Sequence, residues 1–201
     1  YYNSIGPDLA HSWDVSGDSK TYTFYLEPNV INHNGNRWTA SDAKFTLENL
    51  ARATENRPAH ASVTVGGESI FESIEAPDDT TLVVRLKDPD GVFFSQLAMV
   101  GSVMYTEADY DEMASMDEPS GMTGPYILTR HLHDEKMEYR RNENYFKEGM
   151  PYLDGIDRFV IKDAGAALAA IEAKQIDYVM LCCARGMHAG NLQPVADRHP
   201  G

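Results

Sequence analysis

The sequence predicts a mixed α/β protein, and three observations support that prediction. Short segments in the first half alternate apolar and polar residues with a period of two, which is typical of half-buried strands. Two segments place apolar residues three and four positions apart, which is typical of amphipathic helices. Hairpins come first along the chain and a strand–helix–strand order follows near its end, so neither a helical bundle nor a β-sandwich fits.

The first predicted strand and turn lie within residues 19–38. Tyr22, Phe24 and Leu26 alternate with polar or exposed positions in "SKTYTFYLEP", so they form the apolar face of a strand. Asn34 and Gly35 follow in "INHNGNRW", and this pair suits the positive φ angles of a hairpin turn. The segment therefore predicts a strand that ends in a tight turn.

A helix is predicted over "TASDAKFTLENLAR". Thr39 followed three residues later by Asp42 is similar to a capping box, which marks a helix N-terminus. Ala43, Leu47 and Leu50 then fall on one helical face.

The middle of the chain is predicted as a loop, a hairpin and a short helix. Residues 55–69 are polar and interrupted by a proline and a glycine pair, which indicates a loop or a short irregular segment. "SIEAPDDTTLVVRLKDPD" is a hairpin with its turn at Pro77, Asp78 and Asp79. "GVFFSQLAMV" is a short buried helix, and "YTEADYDEMASMDEPS" is the edge of a helix followed by a solvated loop.

The last third is predicted as a hairpin, a strand and a helix. "YILTRHLHDEKMEYRRN" gives two strands with a turn at residues 133–135, and another strand covers 156–161. Asp163 can cap the helix in "DAGAALAAIEAKQID". Its apolar stripe consists of Ala164, Ala167, Leu168 and Ile171, and "YVMLCC" is a short strand after it.

The composition is that of an acidic globular protein. The chain has 201 residues, 42% of them hydrophobic and 24% charged, which suffices for one sizeable core and part of a second. Its 17 Lys and Arg against 31 Asp and Glu give a formal net charge of −14. Because such a surface repels phosphate backbones and anionic lipids, no nucleic-acid partner and no membrane-surface docking are expected.

The sequence contains no targeting or spanning segment. No window of about 18 apolar residues is present, the start lacks the basic and apolar regions of a signal peptide, and the chain is expected to be a fragment. Its two cysteines, Cys182 and Cys183, are adjacent. Neighbouring side chains on an extended segment point to opposite faces, so no disulfide framework is predicted.

Two clusters hold potential metal ligands, but neither has a complete ligand spacing. "HLHDE" brings His131 and His133 next to acidic residues, and without a third ligand at a fixed spacing it favours a solvated turn. "MLCCARGMH" offers sulfur and imidazole ligands that suit copper(I) or haem iron, but it lacks the C-x-x-C spacing, which favours structural or pocket-lining roles. Nucleophile, zinc-protease and P-loop motifs are missing, so no catalytic residue and no enzyme activity are expected.

A series of phrases occurs in a fixed order over almost all of residues 7–181. "PDLAHSWDV" precedes "YTFYL", the "HNG" turn and the "TASD" helix start; "SIEAPDDTTLVVRLKDPD", "TGPYIL", "RNENYF", "PYLDGID" and "AALAAIEAKQIDYV" follow. In this order the phrases resemble the bacterial extracellular solute-binding proteins of family 5. Two departures are local: Met122 displaces the glycine before Thr123, and Lys174 and Gln175 replace a common Ser-Gly.

The resemblance implies a periplasmic-binding-protein-like α/β fold of class II, of which this chain is a truncated first lobe with a mixed sheet. Residues 1–178 would form the first lobe without its N-terminal strand. Residues 179–201 would be the crossover and the incomplete start of the second lobe. The implied function is a substrate-binding receptor of an ABC importer for peptides, which captures solute in the cleft between lobes and delivers it to membrane permease subunits.

The resemblance also implies a monomeric, periplasmic or extracellular receptor, with a lipid anchor as one option and without a cofactor. The segment after "QID" would line the cleft, an arginine there can pair with a peptide carboxylate, and the loop after the "TASD" helix approaches the ligand. These positions are Met180, Leu181, Cys182, Cys183, Arg185 and His60. The alternative is a metal- or haem-binding carrier on the same fold that uses "MLCCARGMH".

Overall fold

The computed structural model describes residues 5–52, 63–65, 67–98, 103–110 and 121–179. The chain divides into two compact units: the first unit is Tyr1–Thr129 with Tyr139–Ile156, and the second is Arg130–Glu138 with Asp157–Gly201. The predicted lobe boundary at residues 178 and 179 stays a prediction, because the description ends at residue 179.

The elements follow the mixed order that the sequence predicts. The strands are β1 (Ala10–Val15), β2 (Thr21–Leu26), β3 (Thr64–Val65), β4 (Glu68–Ser69), β5 (Phe71–Asp78), β6 (Thr81–Leu86), β7 (Tyr126–Leu132), β8 (Lys136–Arg141) and β9 (Gly155–Phe159). The helices are α1 (Ala40–Arg52), α2 (Phe93–Leu97) and α3 (Ala164–Glu172), with a 3₁₀ turn at Glu107–Asp109.

An antiparallel four-stranded sheet with the order β1-β2-β6-β5 is the centre of the first unit. Tyr22, Phe24 and Leu26 are buried, which confirms the predicted apolar face of β2. Phe24 lies opposite Trp13 of β1 and opposite Leu82 of β6. Apolar side chains therefore form a row across three neighbouring strands on one face of the sheet.

The sequence did not predict β1, which lies at the edge of this sheet. None of its residues is fully buried, and only Ala10 and Trp13 are half-buried, so the segment lacks a period of two. The pairing with β2 also shifts register between Ala10 and Ser12. An edge strand with a bulge leaves little periodic signal in its sequence.

Helix α1 packs on β5 and β6. The backbone N–H of Thr39 donates to Asp42 Oδ2 at 2.8 Å, and the Thr39 hydroxyl donates to the same oxygen at 3.1 Å. This confirms the capping-box prediction at the start of the helix. The predicted face of Ala43, Leu47 and Leu50 is buried, and Ala40 and Thr46 are buried as well.

The turn at residues 32–36, here named the 32–36 loop, differs from the predicted tight hairpin. Gly35 has a φ of 87°, as expected, but Asn34 does not take a positive φ. Asn32 Oδ1 instead accepts hydrogen bonds from the backbone N–H groups of Asn34, at 3.0 Å, and Asn36, at 2.8 Å. A side chain in the centre of the turn therefore organises a wider loop.

Two further boundaries in the first unit differ from the prediction. Within the predicted loop at 55–69, β3 and β4 form a two-residue ladder, which is too short to leave a periodic signal. The β5–β6 turn lies at Asp79 and Thr80, later than predicted, because β5 continues through Asp78. Asp78 Oδ1 accepts from the Thr80 N–H at 2.8 Å, and this contact fixes the turn. The short helix α2 is confirmed, with Phe93 fully buried.

Strands β7, β8 and β9 form a three-stranded sheet in that order. The turn predicted at 133–135 is confirmed, with Asp134 at a φ of 61°. Strand β9 starts and ends earlier than the predicted 156–161. Asp163 caps α3 as predicted, since its Oδ1 accepts from Ala166 N–H at 2.8 Å, but of the predicted stripe only Ala167 is fully buried.

Candidate functional site

The six residues that the resemblance nominates for ligand binding lie outside the described part of the chain. They are His60, Met180, Leu181, Cys182, Cys183 and Arg185. Their roles stay predictions, as does the predicted strand that would contain Cys182 and Cys183. The described residues contain a different candidate site, in the first unit.

A cavity of about 560 Å³ lies against the sheet face of the first unit. Phe24 of β2, Leu82 of β6 and Leu47 of α1 form its floor and one side, and Phe94 and Leu97 of α2 lie at another. This volume is in the range of pockets that hold small molecules. The name "the cavity" below refers to the space lined by these residues.

The aromatic wall of the cavity follows directly from the strand register. Trp13 and Phe24 are cross-strand partners on one sheet face. Phe94 of α2 packs on both: its ring centre is 5.3 Å from that of Trp13 and 5.9 Å from that of Phe24, and the second pair is T-shaped. Tilted and edge-to-face contacts of this kind stabilise an aromatic cluster beyond its buried area.

Trp38 lines the cavity from the segment before α1. Only 2% of its surface is exposed, and its backbone N–H donates to the Val30 carbonyl at 2.9 Å. Within the described residues its buried indole Nε1 has no hydrogen-bond partner. An unpaired buried N–H costs free energy, so this group lowers the stability of the described fold.

His33 connects the 32–36 loop to the segment that precedes β7. Its Nε2 donates to the Gly124 carbonyl at 2.9 Å, and its backbone N–H donates to the Met122 carbonyl at 2.8 Å. Burial lowers the pKa of His33 below its usual value, and the hydrogen bond to Gly124 raises it by less. The imidazole is therefore neutral at neutral pH, and it lines the cavity as a polar but uncharged group.

Asp109 is the centre of a buried polar network beneath this loop. It is 6% exposed, and its Oδ2 accepts from Asn32 Nδ2 at 2.5 Å and from the Thr106 hydroxyl. Its Oδ1 accepts from Asn34 Nδ2 at 2.8 Å, and Asn36 Nδ2 lies 3.3 and 3.4 Å from the two oxygens. The network ties the 32–36 loop to the 3₁₀ turn.

Neutral hydrogen-bond donors keep Asp109 ionised in the part of the chain that the structure describes. Burial raises the pKa of Asp109, but the hydrogen bonds from Thr106 and from the three asparagines lower it by more, so the net shift is downward. Among the ion pairs of the described residues, none involves Asp109. Neutral donors therefore replace water and a counter-ion around this carboxylate.

The sequence clusters with potential metal ligands can be compared with the structure only in part, because "MLCCARGMH" lies outside the described residues. In the part of the chain that is described, no group of three or more His, Cys, Asp or Glu side chains is placed to hold a metal ion. The rings of His131 and His133 are 6.1 Å apart in an edge-on arrangement, and Asp134 pairs with Lys162 at 3.0 Å instead of turning to them. The exposed turn that the sequence favours at this position is confirmed.

Sequence reasoning missed both the cavity and the Asp109 network. Asn32, Asn34 and Asn36 are a recognisable run of amides, and this run is the only local signal of a shared polar partner. The partner carboxylate lies 73 to 77 residues further along the chain, so no spacing rule links the two.

The described helices also include none that is long and apolar enough to cross a membrane.

The fold and the ordered phrases define a family. The sequence model of the bacterial extracellular solute-binding proteins, family 5 (middle region), matches residues 4–184. The chain belongs to this family. The predicted periplasmic-binding-protein-like α/β fold is thereby confirmed, and neighbouring solved structures share it.

Similar proteins bind chemically different solutes. The chain is 28% identical over 197 residues to heme-binding protein A of Haemophilus influenzae, covering 88% of this chain and 35% of that protein. It is 27% identical over 186 residues to di/tripeptide-binding protein 4 of Pseudomonas aeruginosa, covering 83% and 34%. The periplasmic binding protein DppA of Helicobacter pylori in complex with the peptide STSA superposes with a TM-score of 0.68 at 27% identity, covering 86% and 37%. The chain thus spans about a third of the length of these relatives.

Proposed function

We propose that this chain is part of the substrate-binding receptor of an ABC importer, and that peptides are the solutes it captures. The observation that supports the proposal most is the family match over residues 4–184. Two of the similar proteins are named for, or solved with, a peptide. Such a receptor binds and releases its solute unchanged, so it needs no catalytic group.

The proposed site is a cleft between two lobes that close on the solute by a hinge motion. Met180, Leu181, Cys182 and Cys183 would line this cleft, with His60 approaching from the first lobe. Arg185 would pair with the peptide carboxylate through two parallel charge-assisted hydrogen bonds. Main-chain hydrogen bonds along an extended peptide would supply affinity that tolerates different side chains.

The proposed partners and location follow from this role. Permease subunits in the membrane would receive the solute from a periplasmic or extracellular receptor, either free or held by a lipid anchor. The receptor would be a monomer without a nucleic-acid partner, which agrees with a net charge of −14. Because the chain spans about a third of its relatives, we propose that it works as part of a longer protein.

The role of Arg185 can be tested in the longer protein by titration calorimetry with defined di- and tripeptides. Arg185→Ala is expected to weaken binding of a free-acid peptide by about tenfold or more, because a bidentate ion pair is lost. It is expected to leave binding of the C-terminally amidated peptide unchanged, since that ligand has no carboxylate. The 201-residue chain alone is expected to bind neither peptide tightly.

Arg158→Ala is the matched control, because Arg158 is exposed on β9 and is not among the nominated residues. It should leave both affinities unchanged. If Arg185→Ala weakened binding of the free-acid and the amidated peptide equally, the proposed contact between Arg185 and the peptide carboxylate would be wrong. Tight peptide binding by the 201-residue chain alone would contradict the interlobe cleft.

A second candidate function is a haem- or metal-binding carrier on the same fold. The observation in its favour is the similarity to heme-binding protein A, together with the sulfur and imidazole groups of Met180, Cys182, Cys183, Met187 and His188. Native mass spectrometry of the purified longer protein separates the two functions. A retained porphyrin or metal ion, with no peptide binding, would replace the peptide proposal by this one.

A further inference from the structure

Within the residues that the structure describes, the helical cover of the four-stranded sheet is incomplete on one side. Adjacent strands lie about 4.8 Å apart, and a helix with its side chains is about 10 Å across, so one helix covers about two strands. Helix α1 packs on β5 and β6. The β1 and β2 half of the same face is left to α2, which has only five residues.

The cavity lies over this uncovered half. Its lining includes Trp13 of β1 and Phe24 and Leu26 of β2, which belong to the apolar sheet face. Ala43 and Leu47 of α1 form the adjacent flank. An element placed there would lie beside α1 and would contact the sheet as α1 does, which is the usual second position in a helix-on-sheet layer.

The two most polar side chains in the lining, Asp8 and His33, already have partners. Asp8 pairs with Lys147 at 2.5 Å, and His33 donates to the Gly124 carbonyl. A pocket for a small solute normally presents several convergent polar groups to its ligand. Most of the side chains that line the cavity are apolar, so an occupant would meet a mainly apolar surface.

Polypeptide to fill this space is available, because the chain spans about a third of the length of its relatives. We propose that the cavity is the docking site of an amphipathic helix that belongs to the same longer protein and lies outside these 201 residues. This helix completes the layer over β1 and β2, with its apolar stripe on Trp13, Phe24 and Phe94.

The proposal predicts that a substitution in the wall of the cavity lowers the melting temperature of the longer protein more than that of the 201-residue chain. Leu97 lines the cavity and is half-buried in the described chain. Leu97→Asp is expected to lower the melting temperature of the longer protein by several degrees, because it places a carboxylate under the docked helix. In the 201-residue chain the carboxylate faces an open cavity, so a much smaller shift is expected.

Val65→Asp is the matched control, since Val65 is 75% exposed and does not line the cavity. It should shift neither melting temperature. Hydrogen–deuterium exchange supplies a second readout: amides of β1 and β2 should exchange about tenfold or more slowly in the longer protein than in the 201-residue chain. Amides of the β3–β4 ladder should exchange alike in both.

The proposed docking helix would be wrong if Leu97→Asp lowered the melting temperatures of the longer protein and the 201-residue chain equally. It would also be wrong if the amides of β1 and β2 exchanged at equal rates in the two proteins. A stoichiometric apolar small molecule retained by the purified longer protein, with β1 and β2 still exchanging fast, would overturn it in favour of a ligand pocket. These measurements need no peptide. A negative result for the docking helix therefore does not contradict the receptor function. A failure to bind peptides likewise does not contradict the docking helix.

Discussion

Asp109 fixes the position of the 32–36 loop through contacts that no nearby residue supplies. Its carboxylate accepts hydrogen bonds from Asn32, Asn34 and the Thr106 hydroxyl. Asn34 and the Thr106 hydroxyl would have to find another acceptor if the carboxylate were lost, whereas Asn32 Nδ2 would keep its bond to Thr106 Oγ1 at 3.0 Å, and buried donors without acceptors are costly. The single residue therefore holds together segments that are more than 70 residues apart in the chain.

Asp109→Asn is expected to destabilise the protein by about 2–3 kcal/mol at neutral pH, because the amide turns a donor towards the donors around it. The folded-state pKa of Asp109 lies below 3.8. The stability that the carboxylate contributes is therefore complete above pH 3.8 and is lost as the pH falls through the lower folded-state value. Urea unfolding across this range should show the gap between the two proteins closing as the pH falls.

Asp88→Asn is the control for this pH series, because the Asp88 side chain is 92% exposed. It should change the free energy of unfolding by less than about 0.5 kcal/mol at every pH. A gap between Asp109→Asn and the parent protein that stays constant with pH would show that the protonated carboxyl stabilises the network as well as the carboxylate does.

At the scale of elements, Asp42 joins the start of α1 to a distant turn. Its Oδ2 accepts from the Thr39 N–H, and its Oδ1 accepts from the Glu107 N–H at 3.0 Å. Asp42→Ala is expected to cost about 1–2 kcal/mol in the free energy of unfolding and to speed amide exchange at Glu107. Both quantities can be measured on one sample, by denaturant unfolding and by hydrogen exchange.

Ser41→Ala is the neighbouring control, because Ser41 is exposed in the first turn of the same helix. It should change stability by less than about 0.5 kcal/mol. A loss of stability in Asp42→Ala with unchanged exchange at Glu107 would limit the role of Asp42 to the helix cap.

The elements with a strong period were predictable, and those held by distant partners were not. Buried alternation in β2 and the stripe of α1 follow from residues that are local in sequence, so the prediction matches the structure. Strand β1 is an edge strand with a bulge, and the β3–β4 ladder has two residues on each side, so neither leaves a period. The Asp109 network depends on tertiary contact alone, and the nominated ligand residues depend on the family resemblance alone.

At the scale of the whole molecule, the acidic surface sets how stability responds to salt. The net charge is −14, and exposed pairs such as Lys20 with Asp88 or Lys87 with Glu68 contribute little each. Repulsion among the excess carboxylates therefore outweighs the attraction within these pairs. Added salt screens both interactions, and it should weaken the repulsion among carboxylates more than it weakens the attraction within the ion pairs.

The melting temperature of the 201-residue chain is accordingly expected to rise between about 10 and 150 mM NaCl. Choline chloride at the same ionic strengths should give the same rise, since screening does not depend on the identity of the cation. A melting temperature that falls with salt would mean that the ion pairs dominate, and a rise with sodium alone would indicate a bound cation.

The 32–36 loop also bears on the chemical ageing of the protein. Asparagine followed by glycine cyclises readily to a succinimide when the glycine nitrogen attacks the side-chain carbonyl and the side-chain amide nitrogen leaves as ammonia, and hydrolysis of the imide by water then leaves a carboxylate. Here the Gly35 N–H donates to the Asn32 carbonyl at 3.0 Å, and the Asn34 amide is held by Asp109, so both reacting groups are restrained. Deamidation at Asn34 would set a second negative charge against Asp109. The folded 32–36 loop thus slows deamidation of the Asn34 side chain, and that deamidation would in turn destabilise the loop.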